Sequence, residues 1–468
     1  MPRRSFAVAF AAGLAVMAGL IAWKGDKIVD RVLDWRFGAM LPKASYPMPR
    51  DAAEANAQDL DYLARLPEVD RSFSETTKAQ FLQRVASLRA RAADLSRPQL
   101  LMGAAEAAAA ADNPHTNVER GYWRALLNSA PVRLEWFVDG LFVIRAMQSH
   151  AALLGARVVA IDGMDPETLA REAARYFGGP AEHGRVSSLL VLESPQALHV
   201  MRPEAPDDRL VLRVIDGEAK ERTVELPAVE PRNAPEVIKP GRLLSPMSDT
   251  RERPGEWRGV LDAATGIPPS LRDPDRSLYA ARLRDGVLYL HLWQIRDEPG
   301  RPLAREILKA VGPPSDPPWK RVILDLRFDT GGDYPDVYRA LRDLPKRLAP
   351  DGWLVIITDN TTFSAAIIAA ALAKHFAAGR ATIVGERPRD RLVFWAEGNS
   401  IQLPNSKIEV ANSTALHDWA HGCRELRCYW PNYFYDVAAG SVEPDVPVGW
   451  TFADYRRGVD TVLERALE

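Results

Sequence analysis

What this chain has little of narrows its function before any motif is read. It holds 2 cysteines, Cys423 and Cys428, too few for a disulfide scaffold or a four-cysteine zinc site. It lacks an excess of either charge: 60 Lys and Arg stand against 62 Asp and Glu, a formal net charge of -2. No basic stripe is therefore available to track a phosphate backbone, and no acidic tail is present, which disfavours nucleic-acid binding. Aromatic content is 8% and histidines number 8, so a catalytic imidazole has few candidates. What remains is 47% apolar and 26% charged over 468 residues, the composition of a globular protein of more than one domain.

Long apolar runs are also scarce, with one exception. After Arg3 and Arg4 comes an uncharged stretch from Phe6 to Trp23, closed by Lys24, close to the ~20 residues that span a bilayer as a helix. No small-x-small cleavage site follows, so the sequence predicts an uncleaved signal anchor over residues 1–25, with export after cleavage as the alternative. The positive start keeps the amino terminus inside. PRRSF also resembles a twin-arginine export signal. The prediction is a single-pass cell-membrane protein whose remainder, from about residue 45, lies in the periplasm or outside. In such a compartment Cys423 and Cys428 can pair. A buried core helix is the competing reading of the run.

Residues 26–57 read as a linker, the stretch 41–58 being proline- and alanine-rich without apolar periodicity. A helical region follows over 58–118: Ser72 with Glu75 fits a capping box ahead of Phe81, Val85 and Leu88, and Ser96 with Gln99 fits a second, Pro98 lying in its first turn. That helix is expected to stop near Asp112. From 119 to 235 short strands dominate (VRLEWFV, GLFVIRA, ARVVAIDG, LVLRVID, RTVELPA) with one helix from Pro166 to Tyr176, a β-rich module. Residues 229–275 read as a long excursion. Over 236–468 apolar strands at 287–295, 321–327, 353–359 and 382–386 alternate with helices at 335–348 and 364–378. That pattern predicts an α/β core with a parallel sheet covered on both faces, its site at the carboxyl ends of the strands.

Two of those ends carry unusual residues. FDTGGD places Gly331 and Gly332 where backbone N–H groups can face a ligand, or where a plain turn is needed. NTTFSAA places Ser364 at a strand–helix junction, where a hydroxyl either caps the helix or sits beside unpaired N–H groups able to hold an oxyanion. His115 lies in the turn DNPHT, an accessible loop position for a base. His417 and His421 form HDWAH, with the spacing of a zinc helix but Asp for the usual Glu and no third ligand.

DNPHT, LDLRFDTGGD, TFSAA and the closing SVEPDVPVGWTFADY segment, in that order, resemble the tail-specific (C-terminal-processing) and tricorn-core serine peptidase family from about residue 58 to the end. DLDYLARLPEVD is similar to the family's opening helix, and LLGARVVAIDG to its inserted PDZ-type module. The resemblance implies a crotonase-like parallel-sheet catalytic core with an inserted PDZ-like module. It implies a serine peptidase acting on peptides or proteins without metal or organic cofactor, which the amino-terminal run would make membrane-anchored and extracytoplasmic. Ser364 would be the nucleophile and His115 the general base in the tricorn-like manner. The N–H groups of Gly331 or Gly332 and of Ala365 would form the oxyanion hole. In the other branch of the family a lysine follows the serine in a G-E-x-T-x-G-K-G turn. Here that turn is GERPRDRL, with Arg391 at the lysine position, and arginine does not lose its proton to act as a base. Three positions depart from the family. Asn113–Pro114 replace the glycine of the histidine turn, Phe328 and Asp329 replace small residues of the oxyanion strand, and Ala438 and Ala439 stand near where the orienting glutamate would be. Asp436 is the nearest carboxylate and Glu425 the next. A non-catalytic peptide- or ligand-binding protein on the same scaffold is the alternative, and a structural envelope protein a third.

Overall fold

The structure, a computed structural model, describes residues 31–33, 35–231, 240–247, 256–261 and 266–468. The apolar run from Phe6 to Trp23 lies outside them, as do 232–239, 248–255 and 262–265 of the 229–275 excursion. Among the described residues no helix is long and apolar enough to cross a membrane.

Helix α1 (Ala52–Leu63) begins inside the stretch expected to be a linker, because the Asp51 carboxylate accepts from the Glu54 N–H and the alanines behind it favour helix. Helix α2 (Glu75–Arg89) is capped by Ser74 and Thr77 reciprocally. The expected Ser72–Glu75 box does not form, since Ser72 is turned to the buried Asp70 carboxylate instead. The Ser96–Gln99 box opens α3 (Arg97–Ala108), which passes through a short 3-10 turn and ends on Asp112 in the left-handed region. Helix α4 (Arg120–Leu126) follows the DNPHT turn.

The β-rich module is an antiparallel sheet in the order β1 (Val132–Phe137), β2 (Gly140–Met147), β3 (Arg157–Ile161), β4 (Arg209–Ile215), β5 (Glu221–Pro227), with β6 (Trp257–Gly259) beside β2. Between β3 and β4 lie α5 (Pro166–Ala173), which continues as the expected helical turn to Tyr176, and three short helices. These are α6 (Ala181–Ser187), α7 (Leu189–Leu192) and α8 (Pro195–Met201).

The last half runs β7 (Leu278–Arg284), β8 (Val287–Leu292), α9 (Leu303–Val311), β9 (Trp319–Asp325), α10 (Pro335–Asp343), β10 (Leu348–Thr358), α11 (Ala365–Ala377) and β11 (Ala381–Gly385). Two small antiparallel pairs follow, β12 (Val393–Ala396) with β15 (Ala415–Asp418) and β13 (Ser400–Gln402) with β14 (Glu409–Ala411). The chain closes with α12 (Trp430–Tyr435), β16 (Val446–Pro447), α13 (Phe452–Arg456) and α14 (Thr461–Leu467). The sheet order is β16-β11-β10-β9-β8-β7, parallel from β16 to β8, with β7 antiparallel at the edge. Alternation along each strand explains why both faces are apolar. Leu288, Leu290, Val322, Leu324, Leu354 and Ile356 pack under α9, α10 and α11. Their neighbours Tyr289, Ile323, Val355 and Ile357 pack with Val462 and Leu463 of α14 and with Phe137 and Phe142 of the β-rich module. That packing ties the module to the core beneath the carboxyl ends of β9 and β10.

HDWAH is not helical. His417 is in β15 and His421 in the turn after it, where its ring faces Asp418, so the two imidazoles do not share a helix face. Cys423 and Cys428 are joined as a disulfide and buried against Leu416.

Candidate active site

The turn after β9 is held from below by buried charge. Arg327 pairs with Asp325 at 2.6 Å and with Asp460 at 2.8 Å, and Tyr289 donates to Asp325 at 2.7 Å. All four side chains are buried, so each charge has its partner in place. Above this base Phe328 takes φ 65°, and its N–H donates to Thr361 Oγ1 at 3.1 Å. The Asp329 carbonyl accepts the Phe363 N–H at 3.0 Å. The β9 and β10 turns are thereby stitched together, and Gly331 is brought against Ser364. A Cβ on Gly331 would lie 2.7 Å from Ser364 Cβ and 3.0 Å from Ala365 N, so a side chain there is excluded. Gly332 lies equally close to Ile295, whose carbonyl a Cβ would meet at 1.8 Å.

Ser364 is half-buried and takes φ 54°, ψ -123° at the head of α11, and its hydroxyl makes no capping bond to the helix. A plain N-cap sits in extended backbone and accepts from the second or third helical N–H; Ser364 does neither. A non-glycine residue in the left-handed half of backbone space costs on the order of 1–3 kcal/mol and persists only where its surroundings enforce it. Here the Asp359 carboxylate does so, accepting from the N–H groups of Thr361 and Thr362 just ahead of the serine. Helix α11 donates first through Ala366 to the Phe363 carbonyl, which leaves the Ala365 N–H at the open helix end.

The two glycine amides are not equivalent. The Gly331 N–H donates to Asp329 Oδ1 at 2.8 Å. The ladder with Ile295 uses the Gly331 carbonyl and the Asp333 N–H, leaving the Gly332 N–H outside it. The Gly332 and Ala365 N–H groups are thus the two amides at this junction that neither the ladder nor the helix uses.

His115 stands in a turn fixed by Asn113, whose side chain donates to Thr116 Oγ1 and Ser413 Oγ, while Thr116 donates to the buried Asp70. Its ring is stacked between Phe363, at 4.5 Å, and Phe394, at 5.1 Å, and Phe394 is stacked in turn on His417 at 4.9 Å. Neither ring nitrogen of His115 has a hydrogen-bond partner, so no Ser364–His115 bond is formed in this arrangement. Burial lowers its pKa to about 3, with His417 and Arg389 adding to the effect; the imidazole is neutral, the form a general base requires.

The carboxylate facing that imidazole is Asp390, whose Oδ2 lies 3.7 Å from His115 Nδ1. Burial pushes Asp390 up to about 7. Asp436 is elsewhere: it ends α12 and forms a two-pronged bond to Arg424 on the surface, while Glu425 pairs with Arg427. Arg391, at the family's lysine position, is held by Asp112 at 3.0 Å. Asp390 lies within GERPRDRL, where the resemblance directs attention to the lysine position. Its signal in the sequence is a carboxylate at the carboxyl end of β11, one strand beyond the serine.

No protein-family model and no curated protein matches this chain. Among solved structures, mature CPAF superimposes with a TM-score of 0.56 at 14% identity, covering 89% of this chain and 96% of that one. Mature CPAF complexed with lactacystin gives 0.54 at 15%, with 89% and 97% covered. The photosystem II D1 C-terminal processing protease aligns over 84% of this chain and 93% of its own, with 15% identity and a TM-score of 0.35. At such identities the likeness is one of fold, and over nearly its whole length this chain is built like CPAF.

Proposed function

We propose that this chain is a serine peptidase in which Ser364 is the nucleophile, His115 the general base and Asp390 the acid that orients it. The observation that carries the reading is Ser364 itself. It is an uncapped serine at positive φ, pressed against Gly331 at a strand–helix junction, with a neutral imidazole stacked on the preceding side chain. The fold it shares with mature CPAF, over 89% of this chain, is consistent with the same reading. In this mechanism His115 swings to Ser364 and takes its proton as Oγ attacks the scissile carbonyl. The Gly332 and Ala365 amides receive the oxyanion. His115 then protonates the leaving amine, and water deacylates the serine by the same path in reverse. No metal or organic cofactor enters. The reading includes a crotonase-like core, a PDZ-like role for the β1–β5 module in gripping extended peptide, and an extracytoplasmic position behind the 1–25 anchor.

The missing Ser364–His115 bond favours one rival, a peptide-binding protein on this scaffold. Labelling with a fluorophosphonate probe separates them. The full chain is expected to label, and Ser364→Ala and His115→Ala to lose labelling. A folded parent that does not label overturns the catalytic reading.

A further inference from the structure

Beside the serine lies a cavity of about 220 Å3, its wall including Thr330 and Phe363, the residues immediately before Gly331 and Ser364. Two guanidinium groups line it, Arg120 from α4 and Arg389 from the turn after β11. Arg389 is buried. Its Nε donates to His183 Nδ1 at 3.0 Å, its Nη2 to Ser187 Oγ at 2.6 Å, and Arg120 Nη1 reaches the same Ser187 at 3.2 Å. These partners are uncharged: burial holds the His183 imidazole well below its ordinary pKa. Among the described residues neither arginine forms an ion pair with a carboxylate. Asp390, next to Arg389 in sequence, is turned to His115, and Glu119, also in the wall, accepts from Ser400. Two cations share one hydroxyl: burial, with Arg124 adding to it, lowers Arg120 to about 10, and burial with the Arg120 charge beside it lowers Arg389 well below its ordinary value, against the smaller pull of Asp390 and Asp359. Buried charge of this kind is retained where a counter-charge arrives, and paired guanidinium forks match a carboxylate.

We propose that this cavity is a subsite for a carboxylate of the peptide substrate, gripped between Arg120 and Arg389. The proposal rests on the peptidase reading. At ~3.3–3.6 Å per extended residue, a carboxylate held there belongs to a residue within about two of the bond attacked. Either an acidic side chain or a free carboxyl end supplies it.

The test is fluorescence anisotropy on the full-length Ser364→Ala protein with four fluorescein-labelled peptides. Hexa-alanine is compared as free acid and as amide, and amidated hexa-alanine carrying one central Glu with its Gln counterpart. One acidic member is expected to bind about tenfold or more tightly than its neutral twin, which names the source. In Arg120→Gln and Arg389→Gln the preference falls to about twofold or less. Equal binding within both pairs overturns the proposal. So does a preference that survives in the arginine variants, which would place the carboxylate elsewhere, such as the β1–β5 module. Arg389 also bonds to the Thr362 carbonyl through its N–H; if its variant does not fold, the half-buried Arg120 decides alone. Acid-selective binding by a chain that does not label with fluorophosphonate keeps the subsite and removes the peptidase. Labelling without acid selectivity does the reverse.

Discussion

Replacing Asp390 by Asn should uncover a pH dependence of stability that the parent conceals. His115 is lowered from 6.5 to about 3 in the fold. Between those values the unfolded chain binds one proton more than the native state, so stability falls as pH falls, by ~1.4 kcal/mol per unit. Asp390 is raised from 3.8 to about 7. Between those values the native state binds the extra proton, so stability falls as pH rises, at the same rate. From about pH 4 to 6.5 the two slopes cancel. The cancellation does not depend on which partner holds the proton, because a neutral pair and an ion pair carry the same number. Asp390→Asn removes one side. Urea denaturation at pH 6.5 and 4.5 should then show the variant losing about 3 kcal/mol more than the parent over that interval. The constant offset of the substitution drops out, since only the slope is compared. The proton's position is read separately, from fluorophosphonate labelling. An ordinary histidine is about 3% neutral at pH 5, whereas a His115 with a pKa near 3 stays neutral. Labelling by Asp390→Asn, which has no carboxyl to titrate beside the ring, should therefore be nearly as fast at pH 5 as at pH 8. Parallel stability curves for parent and variant would refute the linkage, and a labelling inflection near 6.5 in that variant would refute the neutral imidazole.

Two further substitutions probe the nucleophile's setting. Gly331→Ala places a methyl 2.7 Å from Ser364 Cβ at a residue with φ 105°. It should cost on the order of 2–4 kcal/mol in denaturation and slow labelling about a hundredfold by displacing the serine; a variant that melts and labels like the parent would mean that the two turns are not in contact. Ser364→Gly and Ser364→Ala should both lose labelling, but the glycine variant should be the more stable by about 1 kcal/mol, because only glycine takes φ 54° without strain. The reverse order would show that the junction is unstrained.

The alternation of apolar strands and helices after residue 287 was legible because each strand is buried on both faces and each helix is long enough to show its period. The helices between β3 and β4 were not. Residues 181–201 form three short pieces, one of a single turn, and so little chain carries no periodicity to read. At the site, Gly331, Gly332 and Ser364 stood out by residue type. The pairing of His115 with Asp390 did not, because it joins positions 275 apart in sequence across a ring stack that also needs Phe363 and Phe394. Asp436 was the nearest carboxylate to a motif in sequence, yet its place at the end of α12 gives it to Arg424.

The positions that depart from the family's pattern bear on catalysis unequally. Asn113, in place of a glycine, anchors the histidine turn through Thr116 and Ser413, so the loss of flexibility is matched by bonds that hold His115 in place. Phe328 occupies the left-handed region and stacks on Trp293 at 5.7 Å. A Cβ on Gly241 would meet its ring at 2.4 Å, so the segment above it has been emptied to admit the ring. Asp329 is different. Its carbonyl positions Phe363, and through it the ring on which His115 rests, while its carboxylate occupies the Gly331 N–H. An oxyanion at that amide would have to displace a carboxylate, and two anions there repel. In the proposed mechanism the substitution therefore shifts the oxyanion site toward Gly332 and Ala365, and the positive φ kept at Ser364 is the strain that such a use of the serine would call for.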